Sequence, residues 1–305
     1  EDLKEDHFSD RHYKTADSWS WDKVDLIAKS DPYDDIYPTY LEVSFSNACN
    51  FACAYCSPEI SSTWMKDIKK NGNYPVKFGS GDLDYLREVG KFPYKNSEYN
   101  PYVDAFWEWF PEAWKHLRVF RITGGEPTMS KDFWKAVDYI IEHHHENPGL
   151  KIGINSNLGT EPKLLRKLVD ATQRLEAHGI EVEIYTSAES TGDKAEYARD
   201  GIVYDEWLDN IRMFLNETRC RVVIMTTVNI LSVSTMQDFI GDIMSLRVEF
   251  NQNLADNRIP LSVNILRYPP HLQCSLLSTV YRETLANKLE LNPRRINTEL
   301  TSRTL

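Results

Sequence analysis

Tyr40-Leu-Glu-Val-Ser-Phe-Ser46 runs directly into Asn47-Ala-Cys49-Asn-Phe-Ala-Cys53-Ala-Tyr-Cys56. The first half alternates, with Leu41, Val43 and Phe45 on one face, as a half-buried strand does. The second half places three thiols within a span of eight residues, just past the strand's end. Only Cys220 and Cys274 lie elsewhere, and an odd total of five cysteines in 305 residues argues against a disulfide scaffold. Three thiolates on a short loop reach three corners of one metal centre. A structural zinc site takes four ligands, and the next histidine, His116, is too far along the chain to complete a local finger. A [4Fe–4S] cluster accepts three cysteines and leaves one iron open for another ligand. An iron–sulfur cluster is therefore the leading reading, with zinc plus a distant fourth ligand, or unligated core thiols, as the alternatives.

Outward from this loop the pattern becomes regular. A helix from Pro58 to about Lys70, a polar insertion over 71–100 with a short helix near Asp82–Val89, and an aromatic helix Tyr102–Phe110 come first. Strands follow at Leu117–Ile122, Lys151–Asn155, Glu181–Thr186, Arg221–Val228 and Leu261–Leu266. Helices between them cover Lys131–His145 (capped by Ser130), Pro162–His178, Asp205–Asn216 and Thr235–Leu246. The segment after Glu181–Thr186 reads as a polar loop. Six strands separated by helices predict an α/β fold with a parallel sheet, open or an incomplete barrel. Either shape gathers function at the C-terminal strand ends. Cys49–Cys56, Gly124–Pro127, Asn157, Ser187, Glu189, Asn229 and Tyr268 all fall there, which predicts one shared site. Trp107, Trp109 and Trp114 are expected to pack helix on sheet. His143, His144 and His145 diverge around a helix and are expected to form no metal site.

A formal charge of -11, with 35 basic and 46 acidic residues, disfavours a general nucleic-acid binder. No stretch approaches the roughly 20 apolar residues of a membrane helix. A non-membrane, cytoplasmic protein is the expectation.

Ser46-Asn-Ala-Cys49-Asn-Phe-Ala-Cys53-Ala-Tyr-Cys56 resembles the cluster-binding loop of radical S-adenosylmethionine (radical SAM) enzymes, in spacing and in the aromatic Tyr55. Gly124-Gly125-Glu126-Pro127 is similar to the family's second motif. The resemblance runs from about Thr39 to Pro270. The cysteine motif followed by Ser62 and Trp64 looks most like the branch whose members often carry a twitch or SPASM extension, but the additional cysteines of an auxiliary cluster are absent from this sequence.

The resemblance implies an incomplete (β/α)6 barrel over 39–270, with an N-terminal arm over 1–38 and a short helical extension over 271–305. It implies a [4Fe–4S] cluster on Cys49, Cys53 and Cys56 and S-adenosylmethionine as cofactor. Reductive cleavage would give a 5′-deoxyadenosyl radical that abstracts a hydrogen from a peptide or small-molecule substrate. An electron donor such as flavodoxin or ferredoxin is implied as partner. Cofactor contacts are implied at Tyr55 (adenine), at Gly124, Gly125, Glu126 and Pro127 (the amino-group edge), and at Asn157, with Asn155 and Ser156 competing for its role. Ser187 and Arg199 are implied for the carboxylate, Glu189 for the ribose, Asn229 for ribose or adenine, and Tyr268 for adenine. Outside the enzyme class, a non-catalytic iron–sulfur scaffold and a zinc-stabilised α/β binding protein remain as alternatives.

Overall fold

Alternating apolar residues make the strands, and helical stripes of Leu, Ile and Val cover them. The structure, a computed structural model, describes residues 18–74, 81–251 and 257–290. In chain order its elements are α1 Ser18–Lys29, β1 Tyr40–Ser44, β2 Ala52–Cys53, α2 Ser62–Asn71, α3 Leu83–Glu88, α4 Pro101–Trp114, β3 Val119–Thr123, α5 Lys131–Glu142, β4 Lys151–Asn155, α6 Pro162–Ala177, β5 Glu181–Ser187, α7 Gly192–Ala198, β6 Arg199–Asp200, α8 Tyr204–Glu217, β7 Arg221–Val228, α9 Met236–Phe250, β8 Leu261–Ile265 and α10 Thr279–Glu290.

Six strands form one sheet in the order β1-β3-β4-β5-β7-β8, every pair parallel. Each large strand lies beside the next one in the chain, so the sheet grows in one direction, as in a (β/α) barrel. β1 and β8 are its two edges, and the arc stays open: a partial (β/α)6 barrel. The outer residues Phe120, Ile122, Ile152, Ile154, Val182, Ile184, Val222 and Ile224 are all buried under the helices. The inner face is polar instead, carrying Glu42, Arg121, Glu183 and Arg221 at paired positions. A closed barrel fills its interior with branched apolar side chains; this open arc keeps a polar lumen.

Local signals explain the helix starts. Asn100 caps α4, whose first residue is Pro101, and Ser130 caps α5. α6 opens on Pro162 and is followed by Gly179 at φ +78°. Trp107 lies half-buried and donates from Nε1 to Asp132 at 3.2 Å, and Trp114 is fully buried. Trp109 departs from expectation: it sits on the outer side of α4, 38 % exposed. The histidine run ends α5 in a turn, where His143 pairs with Glu146 at 2.8 Å and His144 bonds the Ile141 carbonyl.

Four elements are additions to the sequence expectation, and α2 starts at Ser62, capped by Ser61, rather than at Pro58. α1 forms within the arm and ends at Lys29, ahead of Pro32. α7 forms in what reads as a polar loop after β5. β2 and β6 add a small antiparallel pair, Ala52 opposite Asp200 and Cys53 opposite Arg199. The arm's Tyr37 stacks on His116 at 4.8 Å, whereas Tyr33 is 95 % exposed. Tyr13, and the side chains of Trp19 and Trp21, lie outside the described residues, as do 75–80 of the insertion and 291–305 of the C-terminal extension.

Candidate active site

Cys49, Cys53 and Cys56 sit on the loop that leaves β1 at the C-terminal mouth of the sheet, and none forms a disulfide. The loop is tied down from several sides. Ser62 Oγ accepts from the Cys49 N–H at 3.1 Å, Thr63 Oγ1 donates to the Cys49 carbonyl at 2.7 Å, and Trp64 Nε1 donates to the Cys53 carbonyl at 2.9 Å. Phe51, 2 % exposed, is the loop's anchor. A Cβ on Gly159 or Gly201 would come within 2.7 Å of its ring, so both positions leave the space this ring fills. Asn50 donates to the Gly159 carbonyl at 2.7 Å and accepts from Asn157 at 2.8 Å. Phe51 and Asn50 escaped the sequence reading, because an apolar residue between two cysteines carries no signal of its partner.

The Gly124–Pro127 motif lies against the same loop. Gly125 N–H donates to the Ser46 carbonyl at 3.2 Å and Glu126 N–H to the Ala48 carbonyl at 2.6 Å. A Cβ on Gly125 would meet both Ala48 and Asn47 carbonyls within 2.7 Å. Gly124 adopts φ +138°, a region that disfavours other residues. The close approach these glycines permit is therefore to the cysteine loop's own backbone. Pro127 is buried and opens a short 3-10 turn. Glu126, 1 % exposed, accepts from Thr128, from Ser156 Oγ at 3.0 Å and from the Asn157 N–H at 2.7 Å. Burial pushes its carboxyl above the usual range, against the pull of those hydrogen bonds. It joins the ends of β3 and β4.

A second cluster joins the loop to the end of β5. Arg199, buried, pairs with the buried Glu189 at 2.9 Å, and Tyr55 donates its hydroxyl to the other oxygen of that carboxylate at 2.9 Å. The guanidinium stands 5.3 Å from the Tyr55 ring centroid and 3.8 Å from Cys53 Sγ. The pair of opposite charges raises the Arg199 pKa in spite of its burial, and burial raises the Tyr55 phenol. Arg199, Glu189, Tyr55 and Cys53 are thus one contiguous unit.

The remaining candidates are placed unevenly. Ser187 ends β5 on the lumen side, in register with Met225. Asn157 spends its side chain on Asn50 and on the Gly159 N–H. Asn229 is fully buried, its amide donating to the Thr227 carbonyl and its oxygen accepting from the Leu231 N–H, both at 2.9 Å. Tyr268 is 61 % exposed beyond β8 and is not drawn in with the others. Cys220, buried at the opposite end of β7, bonds Thr218 Oγ1 at 3.0 Å; Cys274 lies in a short turn past β8.

The three loop thiols feel one another. Burial is the main cause that pushes Cys49 up to about 11 and Cys56 up to about 12, and the neighbouring thiols add to both shifts. Cys53 is raised by burial, with the Arg199 guanidinium pulling the other way. Among the described residues no group of three or more Cys, His, Asp or Glu side chains stands at metal-ligand spacing. The donor set itself suits an iron–sulfur centre: three soft sulfurs on one anchored loop, in a low-dielectric pocket with a cation beside them.

The chain is similar in part to several known proteins. It is similar to the GTP 3′,8-cyclase of Pectobacterium atrosepticum, 34 % identical over 112 residues, which is 37 % of this chain and 24 % of that protein. It is similar to the mycofactocin maturase MftC of Mycolicibacterium smegmatis, 26 % identical over 172 residues, 54 % of this chain and 34 % of the relative. The molybdenum cofactor biosynthesis protein moc-5 of Caenorhabditis elegans is 29 % identical over 144 residues, 46 % of this chain and 18 % of the relative. The matched stretches thus span between 18 % and 34 % of these proteins' own lengths, and they do not single out the twitch/SPASM branch. The profile of the radical SAM superfamily matches residues 43–243, which takes in the cysteine loop, the Gly124–Pro127 motif and the Glu189–Arg199 pair; the chain belongs to that superfamily and is an enzyme of its broad catalytic type.

Proposed function

We propose that this chain holds a [4Fe–4S] cluster on Cys49, Cys53 and Cys56, binds S-adenosylmethionine at the adjoining Gly124–Pro127 edge, and abstracts a hydrogen atom from a peptide or small-molecule substrate. The observation that carries the reading is the stitching of the two motifs: Glu126 N–H to the Ala48 carbonyl at 2.6 Å, one residue from Cys49. Cys49, Cys53 and Cys56 would hold the cluster, which would supply one electron, delivered by an external reductant, for reductive cleavage of S-adenosylmethionine. The protein's own work is positional. Phe51, Trp64 and Thr63 hold the loop in one place. Arg199 keeps a positive charge beside Cys53 and is itself held by Glu189. Tyr55 is fixed by its bond to Glu189, so its ring presents one orientation towards the mouth. Ser187 lies on the lumen side at the end of β5, next to this group. An electron-transfer protein such as flavodoxin or ferredoxin is the reductant in this proposal.

The test is anaerobic. Reconstituted with iron and sulfide, reduced and given S-adenosylmethionine, the protein should yield 5′-deoxyadenosine by mass spectrometry, and Cys53→Ala should lose both cluster and product. Iron content unchanged in Cys53→Ala would remove it from the ligand set. A well-formed cluster that never cleaves the cofactor, with any reductant, would turn the reading towards a non-catalytic scaffold.

A further inference from the structure

One row of the lumen face reads Glu42, Arg121, Gly153, Glu183, Arg221, in register across β1, β3, β4, β5 and β7. Both carboxylates in this row have close partners. Glu183 meets Arg221 at 2.7 Å and accepts from the Tyr185 hydroxyl at 2.6 Å. Glu42 accepts from the Tyr40 hydroxyl at 2.7 Å.

Arg121 is treated differently. Its Nε donates to Asn155 Oδ1 at 2.9 Å, while Glu42 forms only a long ion pair with that same nitrogen, at 3.8 Å and beyond hydrogen-bond range. Its Nη2 contacts the Met225 thioether at 3.6 Å, a weak acceptor, and the guanidinium also hydrogen-bonds the Tyr40 hydroxyl, a neutral partner. Arg199 and Arg221, by contrast, each meet a carboxylate within 2.9 Å.

Gly153 explains how Arg121 on β3 reaches Met225 on β7. A Cβ at Gly153 would lie 3.2 Å from Arg121 Cγ and 3.1 Å from Tyr185 Cε2. The missing side chain lets the arginine stem lie across β4. Its guanidinium then stacks on the Tyr185 ring at 4.1 Å. Stacking fixes the plane, Asn155 holds the Nε edge, and the side chain, on the lumen face, stays 23 % exposed with no carboxylate of the described residues within hydrogen-bond range. A planar fork presented this way matches a carboxylate or phosphate. Asn155 is followed directly by Ser156 and Asn157, which both bond Glu126, so the fork lies just beneath the mouth.

We propose that Arg121 binds an oxyanion of the substrate, a carboxylate or a phosphate, inside the lumen, and that this enzyme therefore acts on an anionic substrate. The placement relative to the chemistry rests on the radical SAM reading above; the anion site itself does not.

Met225 supplies the readout. With methyl-labelled methionine, six signals are expected for the six methionines, and Met225→Leu assigns the one at the site. Inorganic phosphate and succinate are titrated separately into the full chain, at constant ionic strength set with chloride. A saturable shift of the Met225 methyl is expected with one or both. Phosphate alone assigns a phosphoryl group, succinate alone a carboxylate. Arg121→Gln should abolish the shift while the other five methyl signals hold their positions. Should that variant fail to fold, Arg121→Lys keeps the charge and loses the fork, and binding should weaken about tenfold. No saturable shift with either anion, or the same shift in the Arg121 variants, overturns the proposal and leaves the row as lumen filling. Neither cluster nor cofactor is added, so failure of cluster assembly and failure of anion binding are separate results.

Discussion

Arg199 Nε and Nη2 both reach the same oxygen of Glu189, each at 2.9 Å, while Tyr55 holds the carboxylate's other oxygen. Glu189 is 1 % exposed and the Arg199 side chain 10 %. A buried pair gives little net stability over an apolar replacement, yet removing one partner strands the other. Arg199→Ala is expected to cost about 3–5 kcal/mol in denaturant unfolding. The double variant Arg199→Ala, Glu189→Ala should cost clearly less than the sum of the singles. Strict additivity in that cycle would show that the two groups do not depend on each other.

Gly125 and Gly149 form a matched pair for testing the loop contact. A Cβ on Gly125 would press into the Ala48 and Asn47 carbonyls, whereas one on Gly149 would meet nothing within 4 Å. Gly125→Ala should destabilise by about 1–3 kcal/mol and lower the iron bound on reconstitution. Gly149→Ala should change neither. Equal thermal midpoints for the two variants would contradict the close packing of the motifs.

Phe51→Ala removes the plug between Gly159 and Gly201. The expected loss is about 3–5 kcal/mol, as for other fully buried phenylalanines. Iron incorporation should fall more than it does in Phe214→Ala, a core variant far along the chain in α8. Normal iron content in a folded Phe51→Ala protein would show that the loop holds its shape unaided.

Tyr185 gives a pH handle on the lumen. Burial first, then the hydrogen bond to Glu183, pushes its phenol up to about 12. A pKa raised in the folded state means stability from this group is complete below the unfolded value of about 10 and is lost as pH rises through the folded one. Glu183→Gln should bring the titration earlier, and Arg121→Gln should delay it, because the guanidinium favours the phenolate. Ultraviolet titration of each protein against its Tyr185→Phe counterpart reads this out. A Tyr185 signal near 10 in the parent would show the ring to be freely hydrated.

Much of the architecture was legible in the chain. The strand Lys151–Asn155 and the strand Arg221–Val228 form where their apolar patterns place them, and α6 starts at Pro162 as its N-terminal proline dictates. α7 was not legible: Gly192-Asp-Lys-Ala-Glu-Tyr-Ala198 carries no capping bond and only two buried residues, so its periodicity is faint. The β2–β6 pair has two residues per strand, too short for any alternation to register.

The site divides along the same line. Cys49, Cys53 and Cys56 are close because they are neighbours in sequence, and Gly124–Pro127 is marked by its composition. Spacing and backbone chemistry decide both, so sequence alone determined them. Which partner Arg199 takes is a different matter. Cys53 is 146 residues away from it and Met225 is 104 from Arg121. A charged residue on a strand's inner face, such as Arg121 in Val119-Phe-Arg-Ile-Thr123, signals only that the lumen is polar. Its direction follows from the absent side chain of Gly153 on the next strand. Long side chains choose among partners by the space and charge that distant segments leave them, and only the tertiary structure decides that.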